Sequence, residues 1–337
     1  MDTMKDVIDS STRDKIFHNL IKKLRAYYVY PEIAEEICIE LQMHIDEGEY
    51  DDITDGEFLA FALTTHIQEV SKDKHLWVRW HPDSLPDHEG PMYVSQEWQD
   101  ESHQQAKLDN YGFHKVERLP GNVGYIDIWE FYKASWGGSS AVAAMTLLTN
   151  TSALIIDLRN CRGGDPEMVA LISSYLFGED PVHLNSLYWR EDDVTQQYWT
   201  LSFVPGERFV DKPVYVLTSK DTFSGGEEFA YNLKALQRAT LIGEVTGGGA
   251  HPGSSYRLST HFEVFIPNGR AINPITGTNW EGVGVTPDIQ ISQKQALKVA
   301  YRMALGSIIE SLNDGLSRPL SQLKEEAVIA LKELENS

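Results

Sequence analysis

The chain carries at residues 213–236 the stretch PVYVLTSKDTFSGGEEFAYNLKAL, in which an apolar run leads through a serine and two glycines into a helical pattern. The apolar run at 213–217 predicts a buried strand, and the apolar spacing at 229–236 predicts a helix. Ser224 is therefore expected at a strand-to-helix turn, with its hydroxyl at the positive end of the helix dipole. The two glycines behind it would let a carbonyl group approach backbone N–H groups closely. This pattern suits the nucleophile of an acyl transfer.

The same residues have a simpler interpretation. Ser224 can be the N-cap of the helix, with Glu227 at the third helical position, which is a capping box. A capping box involves no chemistry, and the local sequence alone favours it over a nucleophile. The other motifs of the chain reverse that preference.

The composition is that of an ordinary globular protein. Its 337 residues are 42% hydrophobic and 23% charged, which allows a large core and one to three domains. The formal net charge is −21, whereas binding to nucleic acid or to an anionic membrane requires clustered Lys and Arg. We therefore expect no nucleic acid and no membrane as a partner. The first residues lack a secretory signal, which predicts a cytoplasmic protein, although a trimmed leader would leave the same start.

Cysteine usage is low. The only two thiols, Cys38 and Cys161, do not make a disulfide framework in a chain of this length. Cys38 falls in an amphipathic pattern and is expected in the core. No group of Cys and His residues has the spacing of a zinc site.

The periodicity of apolar residues divides the chain into four parts. Residues 1–75 contain three helical patterns and predict a small N-terminal helical domain. Residues 76–120 are polar and rich in proline, and predict an irregular connector with short strands. Residues 121–292 repeat strand–helix–strand units, which predict a mainly parallel sheet with helices on its faces. Residues 293–337 predict two C-terminal helices, so the expected fold class is α/β behind a helical domain.

Four motifs in order along the chain carry a family resemblance. They are LIIDLRNCRGG at 154–164, SGGEEFA at 224–230, RATLIGEVTGG at 238–248 and GVGVTPDI at 282–289. Together they resemble the S41 serine peptidases, which include the tail-specific (C-terminal processing) proteases, the tricorn core peptidases and the interphotoreceptor retinoid-binding protein modules. The helical region, with YYVYP at 27–31 and DKHL at 73–76, is similar to that of the retinoid-binding-protein-like branch. The resemblance implies a core of the ClpP/crotonase kind.

The chain departs from the tail-specific proteases in two places. Their catalytic Lys lies in a glycine loop after the serine, and the matching loop here, GGGAH at 247–251, contains no Lys. A Ser–Lys dyad is therefore not expected. The connector, at roughly 40 residues, also leaves no room for the inserted PDZ domain of those enzymes, which needs about 80 to 90 residues.

The resemblance to the tricorn-like branch implies a Ser-His-Glu triad instead. The matching residues are Ser224 as the nucleophile, His75 as the base and Glu281 as the group that orients the imidazole. Without the resemblance, His75 would be interpreted as a capping or buried histidine and Glu281 as a solvated carboxylate. His251, in the glycine loop where the sister branch has its Lys, is the alternative base.

The oxyanion hole implied by the resemblance consists of backbone N–H groups. Gly225, directly after the serine, offers the first, and Gly164 or Gly163 offers the second. The alternative is that Gly163 and Gly164 only form the tight turn before the helix predicted at Pro166, and both roles are compatible because each requires glycine. No metal, nucleotide or other cofactor is expected for this chemistry.

The implied function is a serine peptidase that acts on peptides or unstructured protein segments. The first rival is a non-catalytic module that binds retinoid or another apolar ligand. Its pocket would be lined by Trp77, Trp80, Trp129, Phe131 and Tyr132. The second is an esterase or amidase on the same core, and the third is an interaction scaffold with no turnover. The sequence leaves the oligomeric state open.

Overall fold

The computed structural model describes residues 8–88, 90–92, 95–312 and 317–336. The chain forms two compact units, each discontinuous in sequence. The first consists of Met1–His103, Leu187–Gln196 and His251–Ala271, and the second of Gln104–Ser186, Gln197–Ala250 and Ile272–Ser337. The division into four parts drawn from the sequence stays a prediction.

Helices and strands alternate through most of the chain. The helices are α1 (Ser10–Tyr27), α2 (Pro31–Asp46), α3 (Gly56–Ser71), α4 (Gln96–Leu108), α5 (Ala134–Leu148), α6 (Pro166–Ser174), α7 (Gly225–Ala235), α8 (Gln293–Ser311) and α9 (Arg318–Asn336). The strands are β1 (Trp77–Trp80), β2 (Phe113–Leu119), β3 (Val123–Ile128), β4 (Ala153–Asp157), β5 (His183–Trp189), β6 (Val194–Trp199), β7 (Val214–Thr218), β8 (Thr240–Gly243), β9 (Gly253–Arg257), β10 (Phe262–Pro267), β11 (Gly269–Ile272) and β12 (Ile289–Gln290). Within the described ranges, no helix is both long enough and apolar enough to span a bilayer.

The first unit contains the three predicted N-terminal helices. Asp9 and Asp55 cap α1 and α3, because their side-chain oxygens accept hydrogen bonds from backbone N–H groups of the first turn. Helix α2 begins at Pro31, whose fixed φ suits a first helical position. The helices pack beside a three-stranded antiparallel sheet of order β1-β10-β9. Cys38 is buried in the core of this unit, as predicted.

The second unit is built on a six-stranded sheet of order β12-β8-β7-β4-β3-β2. All of its pairs are parallel except β2 with β3. One face packs on α8 and α9, where Ala296, Ala300 and Ala304 recur at every fourth position and allow close approach. Residues of the opposite face, such as Ile156 and Val216, are also fully buried. The sheet is therefore covered on both faces, which confirms the α/β class predicted from the sequence.

Two features differ from the sequence-based expectation. Helix α4 lies in the connector at residues 76–120, for which the sequence predicts an irregular chain with short strands and no helix. The helix was missed because it is polar and Ala106 is its one buried residue, so it has no apolar stripe. A further sheet of order β11-β5-β6 was also not predicted.

Candidate active site

Ser224 lies at the turn between the end of β7 and the start of α7. Its backbone has φ 51° and ψ −120°, a conformation that non-glycine residues rarely adopt. Such a conformation costs on the order of 1–3 kcal/mol and persists only where the surroundings hold it. The residue is partly exposed. The predicted strand-to-helix turn therefore exists, and it presents the serine in a constrained geometry.

The carboxylate of Glu227 holds this turn in place. It accepts hydrogen bonds from the backbone N–H of Ser224 at 2.9 Å, of Gly248 at 2.6 Å and of Gly249 at 2.8 Å. The Thr246 hydroxyl also donates to it. The Glu227 side chain is fully buried, and burial raises the pKa of its carboxyl against the opposing effect of these hydrogen bonds. The capping interaction anticipated from the sequence is thus part of a larger anchor that joins the serine turn to the glycine loop.

The loop after β4 runs directly beside the serine. Gly163 and Gly164 have φ 117° and 125°, which other residues rarely adopt. A Cβ added to Gly163 would lie 2.6 Å from the Ser224 Cβ, and one added to Gly225 would lie 2.9 Å from the Gly164 nitrogen. Glycine at these positions is therefore required by close approach of the two backbones.

Hydrogen bonds to Phe131 fix the position of this loop. The Phe131 N–H donates to the Gly163 carbonyl at 2.7 Å, and the Asp165 N–H donates to the Phe131 carbonyl at 2.6 Å. This pairing leaves the Gly164 N–H unused. Over the ranges that the structure describes, neither that N–H nor the one of Gly225 has an intramolecular acceptor. Two neighbouring donors are thus available beside the serine.

Glu281 lies in a loop that binds the same glycine loop as Glu227. The Ala250 N–H donates to Glu281 Oε2 at 2.5 Å, and the Trp280 indole N–H donates to the Gly249 carbonyl at 2.7 Å. Glu281 is half-buried. The second unit therefore brings Ser224 and Glu281 into one connected group of loops, together with Gly163, Gly164 and Gly225.

Both candidate histidines belong to the first unit, where they share a buried carboxylate. His251 Nδ1 lies 2.8 Å from Asp73 Oδ2, and the backbone N–H of His75 donates to Asp73 Oδ1 at 2.9 Å. The Tyr28 hydroxyl also donates to Asp73, which is only 1% exposed. Asp73 carries no distinct signal in the sequence, although it stands two positions before His75 in the DKHL motif.

The protonation of His75 is set by its surroundings. Burial lowers the pKa of its imidazole to about 4, the Asp73 carboxylate opposes this shift, and the neighbouring His251 reinforces it. The ring of His75 is therefore neutral near pH 7. A neutral imidazole is the form that can accept a proton.

Two family models match this chain. Residues 122–291 match the model of Peptidase family S41, and residues 2–114 match that of the N-terminal domain of Peptidase_S41 in eukaryotic IRBP. The chain belongs to peptidase family S41. This confirms the family predicted from the four motifs.

Among S41 relatives, the carboxyl-terminal-processing protease of Synechocystis sp. is 27% identical over 175 residues, which cover 52% of this chain and 39% of that protein. The chain spans about two fifths of the length of the curated relatives that it matches. A lipoprotein from Streptococcus agalactiae has a TM-score of 0.55 at 15% identity, covering 87% of this chain and 96% of its own. The tricorn protease has a TM-score of 0.52 at 14% identity, covering 97% of this chain and 37% of its own. These two structures support the fold.

Proposed function

We propose that the chain is a serine peptidase in which the Ser224 hydroxyl attacks the carbonyl carbon of a peptide bond. One observation carries the proposal: a serine held at a positive φ before α7 lies beside the unused N–H groups of Gly164 and Gly225. Membership of family S41 supports it. The proposed substrates are peptides or unstructured protein segments.

The proposed reaction needs a base, because a serine hydroxyl is a weak nucleophile until its proton is accepted. We assign this role to His75, with Glu281 orienting the imidazole and stabilising the imidazolium. The oxyanion of the tetrahedral intermediate would accept hydrogen bonds from Gly225 and Gly164. The imidazolium then protonates the leaving amine. Water attacks the remaining acyl group through the same two proton transfers and releases Ser224. Gly163 supports the same loop.

His251 is the alternative base, and one distance favours it. Its Nδ1 lies 2.8 Å from the Asp73 carboxylate, and a carboxylate in that position fixes the tautomer of a base histidine. In this alternative Asp73 would take the orienting role assigned to Glu281.

Alanine substitution of each histidine distinguishes the two bases. We expect His75→Ala to lower kcat by about 10²–10⁴-fold, because the Ser224 proton then has no positioned acceptor. His251→Ala should lower kcat by less than about tenfold. Steady-state kinetics of both folded variants on one peptide would check this, and the reverse order would transfer the base role to His251.

The same assignment predicts a pH profile. The base must be neutral in the free enzyme, and burial lowers the pKa of His75 to about 4. We therefore expect kcat/KM to stay high as the pH falls through 6 and to drop only as it passes about 4. Circular dichroism at each pH distinguishes this fall in kcat/KM from unfolding of the protein. A limb near the ordinary histidine pKa of about 6.5 would contradict the assignment.

A panel of substrates tests the function itself. The full chain would be incubated with an unstructured protein, a mixed peptide library, simple esters and retinol, and with a fluorophosphonate that labels activated serines. We expect peptide-bond cleavage and labelling that requires Ser224. Turnover of esters alone would indicate an esterase, whereas stoichiometric retinol binding without labelling would indicate a carrier. Either outcome would overturn the peptidase proposal.

A further inference from the structure

A second group of reactive side chains lies in the first unit and contains none of the residues assigned to catalysis. His44 of α2, Glu49 of the following turn and His66 of α3 each offer a ligand atom, and these atoms all lie within 4.8 Å of one another. His44 Nδ1 is 2.8 Å from Glu49 Oε2. The His44 and His66 rings are stacked, with centroids 3.9 Å apart. Three separate chain segments thus bring two imidazoles and a carboxylate close together.

One imidazole is held by a hydrogen bond, and the other faces a carboxylate at ion-pair distance. The Tyr50 hydroxyl lies 2.6 Å from His66 Nδ1, and Tyr50 is almost fully buried. Glu40 Oε1 lies 3.7 Å from His44 Nε2, one helical turn away on α2. Histidines that bind metal ions commonly have such a partner on their second nitrogen, because it fixes the ring orientation.

The donor set has the chemistry of a transition-metal site. Imidazole nitrogen with carboxylate oxygen suits Zn²⁺, Ni²⁺ or Cu²⁺, whereas Mg²⁺ and Ca²⁺ prefer oxygen ligands alone. Two ligands on one Zn²⁺ are at most about 4.2 Å apart, since each bond is about 2.1 Å. The ligand atoms here all lie within 4.8 Å of one another, so a shift of a few tenths of an ångström brings them within this limit. Stacked rings hold their nitrogen lone pairs in parallel planes, so the His44 ring must also rotate out of the stack to bind the same ion as His66. Its side chain is 19% exposed and that of Glu49 is 43% exposed, which leaves both room to move.

We propose that His44, Glu49 and His66 form a transition-metal site for which Zn²⁺ is the best match. The ion would join α2 to α3 and so stiffen the helical part of the first unit. The site is independent of the peptidase chemistry and needs none of the residues assigned to it. The site has no zinc spacing in the sequence, because the ligands are separated by unequal intervals and one of them is a carboxylate.

Isothermal titration of the metal-free full chain with ZnCl₂ tests the proposal. The double variant His44→Gln/His66→Gln should lose one equivalent of Zn²⁺, or bind it at least about 100-fold more weakly than the unaltered chain. The matched control is His18→Gln, which removes an exposed imidazole from α1 of the same unit. It should bind like the unaltered chain. Zn²⁺ should also raise the midpoint of thermal unfolding, because it binds only the native site.

The single variant Glu49→Gln guards against misfolding of the double variant, since it changes one exposed side chain. We expect it to weaken Zn²⁺ binding at least about tenfold, and MgCl₂ to give neither binding heat nor a thermal shift. Equal Zn²⁺ stoichiometry and affinity in the unaltered chain, Glu49→Gln and any folded double variant would overturn the proposal. An equal thermal shift with MgCl₂ would overturn it as well.

Discussion

Replacement of Ser224 by alanine is expected to lower kcat for peptide hydrolysis by about 10⁴–10⁶-fold. In the proposed reaction the hydroxyl oxygen is the atom that forms the bond to the substrate carbonyl carbon. Residual turnover should come from the N–H groups of Gly164 and Gly225, which would still stabilise an oxyanion formed by water attack. Substrate binding, measured as the Kd of an uncleaved peptide, should change little.

The control for Ser224→Ala is Ser202→Ala, which removes an exposed hydroxyl from the same unit. It should leave both kcat and fluorophosphonate labelling unchanged. Purified Ser224→Ala that retains more than about a tenth of the original kcat would remove Ser224 from the nucleophile role, because a bond-forming atom has no partial substitute.

Loss of the Glu227 carboxylate should have the largest effect on the free energy of unfolding. Glu227→Ala leaves the N–H groups of Ser224, Gly248 and Gly249 and the Thr246 hydroxyl buried without their acceptor. Each unsatisfied donor costs about 1–3 kcal/mol, and partial relaxation should reduce the total loss of unfolding free energy to about 3–5 kcal/mol. Release of the serine turn should also lower kcat by about 10²-fold or more, because small misplacements of reacting groups are costly.

Urea unfolding and steady-state kinetics measure these two effects. Glu227→Gln keeps the shape of the side chain but turns an amide NH₂ towards N–H donors, so it should fall between the alanine variant and the unaltered chain. Glu167→Gln is the matched control, since Glu167 is an exposed acid in the first turn of α6. If Glu227→Ala unfolded at the same urea concentration as that control, the anchoring role would be refuted.

The serine turn and the sheet could be predicted because their signals are local. Ser224 and the glycines that follow it occupy adjacent positions, and the buried strands are short apolar runs bounded by helical patterns. Helix α4 has no such signal, since its face towards the protein contributes a single buried residue. Its position depends on tertiary packing, which overrides local pattern.

The contacts around the proposed site could not be predicted, because they join residues far apart in the chain. Asp73 and His251 are 178 positions apart, and no periodicity relates them. Glu227 was anticipated as a cap of its own helix, but its bonds to Gly248 and Gly249 depend on where the loop after β8 returns. Motif order indicates the segments of the proposed site, while the partners of each carboxylate required the folded chain.

The backbone at Ser224 has an evolutionary consequence. A positive φ disfavours serine by on the order of 1–3 kcal/mol, whereas glycine adopts it freely and loses only about 0.5–1 kcal/mol through its greater freedom in the unfolded chain. Replacement of the whole serine side chain by a hydrogen atom, as in Ser224→Gly, would therefore make the fold slightly more robust. A lineage that is selected only for the abundance of the protein would therefore be expected to lose the proposed nucleophile early.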